Sequence, residues 1–268
     1  MCPRQATSPV TSTFTTSLWP SGRLIFVNTL YSCLATVSAT HSFVPLWRPP
    51  FVSKLAAEDR CHLNGLAMRD GRPGWVTTIS DTDIADGWRE HRVDGGCIID
   101  VERNDVVIRG LSMPHSPRWY RDRLWLHNSG TGEFGYADLA AGKFVPIAFL
   151  PGYLRGLAFF GDFAVVGLSK PREGKGAFCG LPLETRIADK RVEARCGIGV
   201  VDLRSGDVVH WFRLDTVVEE LYDVGILEQC RKPMAIGFQT DEIRREISFR
   251  PAPDELARAP AADASVEL

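Results

Sequence analysis

The sequence has little net charge, and this shortage narrows the classes of partner. Its 31 Lys and Arg residues nearly balance 33 Asp and Glu residues, which gives a formal net charge of −2. Nucleic acids and anionic membrane surfaces are bound by strongly basic patches. We therefore expect no nucleic-acid partner. The 44% share of hydrophobic residues is ordinary for a soluble globular protein.

The chain also lacks an apolar run long enough for a membrane helix, which needs roughly 20 residues. The nearest approach is LIFVNTLYSCLATVSA at residues 24–39, which resembles the apolar part of a secretory signal. A polar leader precedes it, and its first half fits the repeat described below. We interpret residues 24–39 as a pair of strands, and we expect no membrane span.

Cysteine is present but never forms a CxxC pair. An odd, scattered set is typical of reduced thiols in a cytoplasmic protein rather than of a disulfide framework. We expect these side chains to act mainly as small buried hydrophobic groups. The cysteines are Cys2, Cys33, Cys61, Cys97, Cys179, Cys196 and Cys230.

Common catalytic motifs are missing too. The sequence contains no GxSxG, Walker loop, GxGxxG fingerprint or HExxH, and each of these would mark a known chemistry. Their absence excludes several frequent enzyme classes. We therefore favour a function without catalysis.

What the sequence does contain is a repeated unit. Each unit has an apolar strand, a polar tip, a loop and a second strand that ends in a hydrophobic-Asp-hydrophobic triplet. Such self-similarity in a fixed order indicates a repeat architecture. The first strands read RLIFVNTL (23–30), PGWVTTIS (73–80), RLWLHNSG (123–130) and DFAVVGLS (162–169). Three second strands read IIDVERNDVV (98–107), YADLAAGKFV (136–145) and VVDLRSGDVV (200–209).

Two further runs complete each unit. A short run precedes the first strand, as in HLNGLAM (62–68), and an outer run follows the second strand, as in VVHWFRL (208–214). Four antiparallel strands per unit predict the blades of an all-β propeller, with a β-sandwich as the alternative. We expect about four complete blades, and a partial one that begins at EELYDVGIL (219–227).

The domain organisation follows from the same pattern. Residues 1–14 and 251–268 have no core-forming pattern, and we expect a disordered leader and tail. Residues 15–250 should form a single propeller domain with insertions at 80–95 and 170–196. Loops of this length are usually lids or binding surfaces, unless they are disordered. Within the second, LPLETRIADKRVEA is typical of a helix that carries Leu181, Leu183 and Ile187 on one face.

Repeat geometry predicts where polar residues converge. The inner strand of each blade begins, and the next strand ends, on the same side of a propeller. These positions should therefore encircle one mouth of the central channel, where a concave ligand site is expected. The predicted ligand-binding residues are His62, Asn64, His115, Ser116, Arg118, His127, Asn128, Arg155, Ser169, Lys170 and Arg172.

Three interpretations of this ring stay open. Asn64, Asn128 and an acidic residue near Glu220 could hold Ca²⁺ or Mg²⁺, and the three histidines offer zinc-type ligands. The arginines and Lys170 could bind a carboxylate, phosphate or sugar-linked group, unless they pair with neighbouring carboxylates. The ring could also be structural, with Asn, Ser and Thr capping turns.

Three aspartates are explained by the repeat itself. Asp100, Asp138 and Asp202 end the second strands at equivalent positions. We expect each carboxylate to accept hydrogen bonds from the hairpin that follows it, and we leave them out of the site.

Long stretches of text resemble a bacterial family of conserved hypothetical proteins. They are HLNGLA, MPHSPRW, LHNSGTGEFGYADL, FLPGYLRGLAF, VGLSKPRE and KPMAIGF, and the resemblance covers roughly residues 18–250. It implies a propeller and supplies no catalytic residues. Members extend further at the N-terminus, so we expect this chain to lack one or two blades. It should then self-associate through unpaired blade edges.

A more distant resemblance concerns HLNGLA alone. This text is similar to the NGLA text of gluconolactonase and strictosidine-synthase-like propellers, which implies a channel metal and hydrolysis of lactones. Likeness of fold does not fix function. The sequence therefore leaves two hypotheses: a propeller scaffold that binds a small polar ligand, glycan or protein, and a metal-dependent hydrolase of the lactonase type.

Overall fold

The structure is a computed structural model that describes residues 16–18, 24–170, 179–215, 218–231, 233 and 241–245. These residues divide into two units, one that ends at Ile226 and one that begins at Leu227. In the second unit, a 3₁₀ turn spans Asp241–Arg244. The predicted disordered leader and tail, and Arg172, lie outside the described residues.

The described residues of the first unit form four separate antiparallel sheets of four strands each, in chain order. Blade 1 comprises β1 (Thr16–Leu18), β2 (Leu24–Asn28), β3 (Cys33–Thr36) and β4 (Val44–Trp47). Blade 2 comprises β5 (Leu63–Arg69), β6 (Arg72–Thr78), β7 (Gly96–Asp100) and β8 (Asp105–Leu111). Blade 3 comprises β9 (Pro114–Tyr120), β10 (Arg123–Asn128), β11 (Glu133–Asp138) and β12 (Lys143–Phe149). Blade 4 comprises β13 (Tyr153–Phe160), β14 (Phe163–Ser169), β15 (Gly197–Asp202) and β16 (Val208–Arg213). The predicted propeller-like class is confirmed.

The apolar segment at residues 24–39, which resembles a secretory signal, contains the hairpin of β2 and β3. Along β2, side chains alternate between half-buried and buried, which is the period-two pattern of a strand packed on one face. Both apolar residues at the buried positions, Ile25 and Val27, are fully enclosed. The interpretation of residues 24–39 as paired strands is confirmed.

The three repeated aspartates stabilise hairpins, as predicted. Each Oδ1 accepts a backbone N–H at 2.9 Å: Asp100 from Arg103, Asp138 from Ala141, and Asp202 from Arg204. The bond closes the turn locally, which explains why the aspartate recurs in blades 2, 3 and 4.

The core of this unit lies between blades. Ile25, Leu63 and Val76 join blades 1 and 2, while Leu154 and Phe134 belong to the cluster that joins blades 3 and 4. Aromatic rings of blades 2 and 3 meet near the β5–β6 and β9–β10 hairpins. Trp75 stacks on Trp119 with centroids 4.9 Å apart. Each sheet thus buries its faces against its neighbours, as repeat units do.

The two insertions pack together. The first contains a 3₁₀ turn at Gly87–His91, and the second contains α1 (Pro182–Asp189). The helix predicted within residues 181–194 is therefore confirmed at 182–189, and Leu181, Leu183 and Ile187 do face the core. We call their cluster the cap: Ile79, Trp88, Met113, Tyr153, Leu181 and Leu183, with Phe149 and Ile187 beside it.

The run at 219–227, predicted to open a further blade, forms no strand in the described stretch 218–231. It nevertheless sits where an inner strand would begin. The Leu221 carbonyl lies 3.2 Å from the Ser169 hydroxyl, as the Leu63 carbonyl lies 2.7 Å from Thr29 and the Leu154 carbonyl 2.7 Å from Ser129. The sequence similarity of this run to the inner strands thus has a counterpart in its packing.

Among the described residues, no helix combines the length and the apolar character that a membrane crossing demands.

Candidate functional site

Polar side chains from three blades meet at one end of the sheets. We call this end the rim: the starts of β5, β9 and β13, the ends of β6, β10 and β14, and the adjoining residues 218–226. His115 lies opposite His127 in the register of β9 and β10, and Asn64 approaches His115 from blade 2. The Ser116 hydroxyl accepts the Gly156 N–H at 2.9 Å. The repeat register therefore brings these predicted residues together.

Irregular backbone shapes the rim. The registers of β5, β9 and β13 with their partners shift near Asn64, Ser116 and Arg155. Such bulges re-aim side chains and are frequent beside functional sites. Gly156 has φ +81, and a Cβ there would lie 2.6 Å from the Val224 nitrogen. Residues 223–224 consequently approach β13 more closely than a side chain would permit.

Asn64 and His115 form a buried polar link between blades 2 and 3. The Asn64 Nδ2 donates to the Pro114 carbonyl at 2.9 Å and lies 3.4 Å from His115 Nε2. Its Oδ1 accepts the Thr77 hydroxyl at 2.6 Å. The His115 Nδ1 lies 2.9 Å from the Met113 carbonyl and 3.3 Å from the Tyr153 hydroxyl. Both ends of the Asn64 amide are engaged.

Burial keeps the two inner histidines neutral near pH 7. It lowers the pKa of His115 well below its usual value, and the nearby Arg155 charge acts in the same direction. Burial also lowers the pKa of His127 to about 4, although the hydrogen bond with the Gly156 carbonyl (3.0 Å) opposes the shift. His127 Nδ1 has no hydrogen-bond partner among the described residues.

Two guanidinium groups meet two consecutive residues at the rim. Arg118 Nη2 donates to both carboxylate oxygens of Asp223, at 3.3 and 3.2 Å. The Arg155 guanidinium lies over the Tyr222 ring, 4.7 Å from its centroid. Burial lowers the pKa of Arg118, and the Asp223 charge opposes this shift. Arg118 therefore has the carboxylate partner that the sequence analysis left as an alternative to ligand binding.

His62 forms a separate group with Asp59 and Trp88. Its Nδ1 lies 2.8 Å from Asp59 Oδ2, and the Trp88 indole N–H donates to the same oxygen at 3.0 Å. The His62 and Trp88 rings are 4.2 Å apart between centroids. Trp88 thus connects the cap to the rim.

The remaining predicted residues serve backbone contacts. Asn128 Oδ1 accepts the Ser112 N–H at 2.7 Å, and the Ser169 hydroxyl accepts the Leu221 N–H at 3.0 Å. Lys170 donates its backbone N–H to Glu219 at 2.8 Å, while its side chain is exposed. These contacts fit a structural role for the three residues.

The predicted cation site gains no support from these contacts. The carbonyl oxygens of Asn64 and Asn128 each already accept a protein hydrogen bond. Within the described part of the chain, no three His, Cys, Asp or Glu side chains cluster as metal ligands would. Oxygen-rich coordination is what Ca²⁺ and Mg²⁺ require. The site at Asn64, Asn128 and Glu220 stays a prediction.

Sequence reasoning missed Asp59, Trp88, Tyr153 and Tyr222. Asp59 and Trp88 lie outside the repeated strands, so no register points to them. Tyr222 does carry a signal, since LYD (221–223) aligns with LNG (63–65) and LRG (154–156). That alignment places Tyr222 at the position of Asn64 and Arg155.

Comparison with protein families gives one match. A family model described as a domain of unknown function (DUF4915) covers residues 14–236. A search of curated proteins found no match.

Several solved structures are similar at low identity. A calcium-binding protein, regucalcin from Agrobacterium tumefaciens, is 10% identical with a TM-score of 0.49 over 78% of this chain and 61% of its own. A protein of unknown function from Bacteroides caccae is 11% identical, with a TM-score of 0.45 over 74% and 59%. Hydrazine synthase from Kuenenia stuttgartiensis is 14% identical, with a TM-score of 0.44 over 80% and 52%. The chain thus spans between about half and three fifths of these proteins' lengths.

Proposed function

The chain belongs to the DUF4915 family, and on this premise we propose that it is a propeller-like scaffold that binds a small, hydroxyl-bearing anion at the rim. A sugar acid or a sugar phosphate has this chemistry. One observation carries the proposal: Arg118 and Arg155, from adjacent inner strands, meet the consecutive residues Asp223 and Tyr222.

The contact of Arg118 with Asp223 resembles an anion complex. A guanidinium can bind a carboxylate or phosphate through parallel N–H donors, and one nitrogen of Arg118, Nη2, already donates to both oxygens of Asp223. The Asp223 side chain is 53% exposed, so an ion pair there is only weakly stabilising. A ligand carboxylate or phosphate could therefore replace Asp223 at little cost.

The neighbouring groups suit the rest of such a ligand. Tyr222 is 46% exposed and presents an aromatic ring, on which the apolar face of a sugar can pack. A displaced Asp223 carboxylate would become an acceptor for ligand hydroxyls. Hydrogen bonds to charged groups are stronger than neutral ones, so the arginines should contribute most of the affinity.

Titration calorimetry on the full chain tests the proposal. The probes are glucuronate, glucose 6-phosphate, a disaccharide that ends in glucuronate, and uncharged glucose. We expect both anionic monosaccharides to bind and glucose to bind at least about tenfold more weakly, since it cannot form charge-assisted bonds. Comparison of glucuronate with the disaccharide separates a free sugar acid from the end of a glycan.

Three variants locate the binding. Arg118→Met and Arg155→Met should each weaken glucuronate binding about tenfold or more, whereas Asp223→Asn should strengthen it by removing the competing carboxylate. Arg121→Met is the matched control, because Arg121 belongs to the same blade but pairs with Asp162 at the opposite hairpin. Equal binding by wild type, Arg118→Met and Arg155→Met would refute the proposed site, and so would the absence of binding by every anion.

The same samples test the predicted cation site. A bound ion stabilises the folded state by mass action. If a cation binds at the predicted site, Ca²⁺ or Mg²⁺ should raise the melting temperature, and Asn64→Ala should abolish this increase. A rise of this kind, with hydrolysis of a lactone, would favour the hydrolase hypothesis over a scaffold.

A further inference from the structure

The outer strand of blade 4 is unusually apolar for an exposed edge. β16 reads VVHWFR, and all six of its residues are exposed. Trp211 is 64% exposed and Phe212 is 61% exposed. These rings lie on opposite faces of the strand, since successive side chains alternate. Exposed apolar patches with aromatic residues commonly mark interaction sites.

The other outer strands carry features that block edge pairing. β4 contains Pro45 and β12 contains Pro146, and proline removes a backbone donor from the edge. β8 contains Gly110 with φ +79 and the charged Arg109. β16 has neither proline nor glycine. Of the four outer strands, it therefore offers the least interrupted edge to an added strand.

A groove adjoins this edge. It has a volume of about 150 Å³ and lies between β15, β16 and the end of blade 3. Its walls are mostly apolar and include Leu150, Leu168, Ile198 and Trp211, while Arg195 and Arg213 supply the positive charge. Arg213 pairs with Asp215 at 3.0 Å. The buried Arg195 Nε has no hydrogen-bond partner in the part of the chain that the structure describes.

We propose that the β16 edge and this groove dock an extended, apolar peptide segment of a partner protein that carries an acidic side chain. The segment adds a strand beside β16, and its carboxylate pairs with Arg195. The exposed aromatic residues supply the apolar contact that dominates such interfaces, and Arg195, whose Nε has no hydrogen-bond partner among the described residues, supplies the charge complementarity. Backbone pairing gives affinity, while side-chain pockets give specificity. The proposal is independent of anion binding at the rim.

The hydrogen-bond pattern shows which groups are open to a partner. The Leu214 N–H donates to the Cys196 carbonyl at 2.9 Å, so Leu214 faces β15. Residues of an antiparallel strand alternate between facing one neighbour and the other. The backbone groups of Trp211 and Arg213 consequently point away from β15. They are the ones that an added strand would use.

Fluorescence anisotropy with a labelled synthetic peptide tests the proposal on the full chain. The probe is a short peptide that alternates valine and threonine around a central glutamate. We expect saturable binding. A peptide with lysine in place of the glutamate should bind about tenfold more weakly or worse, and the original peptide should lose affinity for the Arg195→Gln protein by a similar factor. Trp211→Ala should weaken binding by a comparable factor, because buried aromatic anchors dominate interfaces.

Strand addition has its own test. Arg213→Pro removes an outward N–H but leaves the β15 ladder intact, and it should abolish binding, while Arg213→Gln, which changes only the side chain, should retain most of it. If Arg213→Pro does not fold, a probe with N-methylated alternate amides tests the same bonds on the unaltered protein. Unweakened binding of that probe would overturn strand addition.

Other occupants give distinct results. Analytical ultracentrifugation could show that the wild-type chain is a dimer and that the Arg213→Pro variant is a monomer. This result would identify a second copy of this chain as the occupant and overturn the proposal. Decanoate that binds the groove as tightly as the peptide, with no effect of Arg213→Pro, would identify a small amphipathic carboxylate and overturn it as well.

Discussion

At the scale of single residues, the rim combines buried histidines, which are neutral near pH 7, with arginines, which are charged. His115 and His127 are buried, and burial, aided by the charges of nearby arginines, holds the pKa of each below its usual value. Arg118 is charged and pairs with Asp223 at the same rim. The histidines therefore act as hydrogen-bonding groups that link blades, and the arginines are the groups that the proposed anion would contact.

The pKa of His127 makes folding stability depend on pH. The folded-state pKa is about 4, and the unfolded value is near 6.5. Because the unfolded chain takes up the proton first, stability is complete above about pH 6.5 and falls as the pH drops toward 4. The shift corresponds to a loss of about 3 kcal/mol. Urea unfolding at pH 7 and at pH 4.5 measures it.

A substitution isolates this contribution. His127→Gln keeps a donor for the Gly156 carbonyl without a titrating ring, so the difference in unfolding free energy between the two pH values should shrink. His210→Gln is the control, since His210 is exposed on β16. If His127→Gln retained the full pH dependence of the wild type, another group would be responsible.

The sequence register predicted that several polar side chains lie at one rim, and it could do so for a physical reason. Asn64, His115 and Arg155 lie at equivalent points of successive inner strands, so a local pattern is sufficient to align them. Asp59 and Trp88 reach His62 from loops that lie outside the repeats. Their positions depend on packing between distant segments, which no single-strand periodicity encodes.

At the scale of elements, the cap shows what the insertions contribute. α1 has only eight residues, and helices this short are not stable alone in water. Its docking depends on Leu183, which is 1% exposed and belongs to the same cluster as Trp88 and Tyr153. The Arg186–Glu133 ion pair at 2.7 Å adds a link to blade 3. The sequence predicted the helix from its apolar face but not the surface against which it packs.

Truncation of Leu183 should undock α1. Leu183→Ala removes buried methyl groups, and such changes cost about 2–5 kcal/mol. Amide hydrogen exchange in 182–190 should accelerate at least about 30-fold if local undocking governs it, while exchange in β10 and β11 should change little. Leu139→Ala serves as the control, because Leu139 is 36% exposed. Equal exchange in both variants would show that the cap does not hold α1.

The strands could be predicted because each blade repeats the same order of apolar runs. The turn residues between these runs mark where each strand ends. The run at 219–227 is the instructive difference. Its text resembles an inner strand, and Leu221 takes the corresponding place against Ser169. A strand also requires a neighbour to pair with, and no second strand accompanies this run among the described residues. Sequence pattern specified the position, but pairing decided the secondary structure.

At the scale of the whole first unit, stability lies in the interfaces between blades. Each sheet covers the apolar face of the next, so the cores are shared rather than internal to a blade. Three of its cysteines are nearly inaccessible: Cys33, Cys61 and Cys97 are 0% exposed. A thiol in one of these interfaces can react only when blades separate, which makes cysteine a probe of opening.

Thiol reactivity should therefore divide into two classes. Burial raises the pKa of Cys61 to about 12 and that of Cys97 to about 11, and the thiolate is the reactive form. Cys179 and Cys230 are exposed free thiols, so a disulfide reagent at pH 7.5 should modify them within minutes. Cys61 and Cys97, which lie in the cluster between blades 1 and 2, should react only at the rate at which these blades separate, and this rate should rise with urea concentration as unfolding does. Peptide mass mapping assigns each phase of modification to a cysteine, and the double substitution Cys179→Ser with Cys230→Ser removes the fast signals.

Modification of Cys61 as fast as that of Cys179 in native buffer would mean that the interface between blades 1 and 2 opens freely, contrary to a shared core.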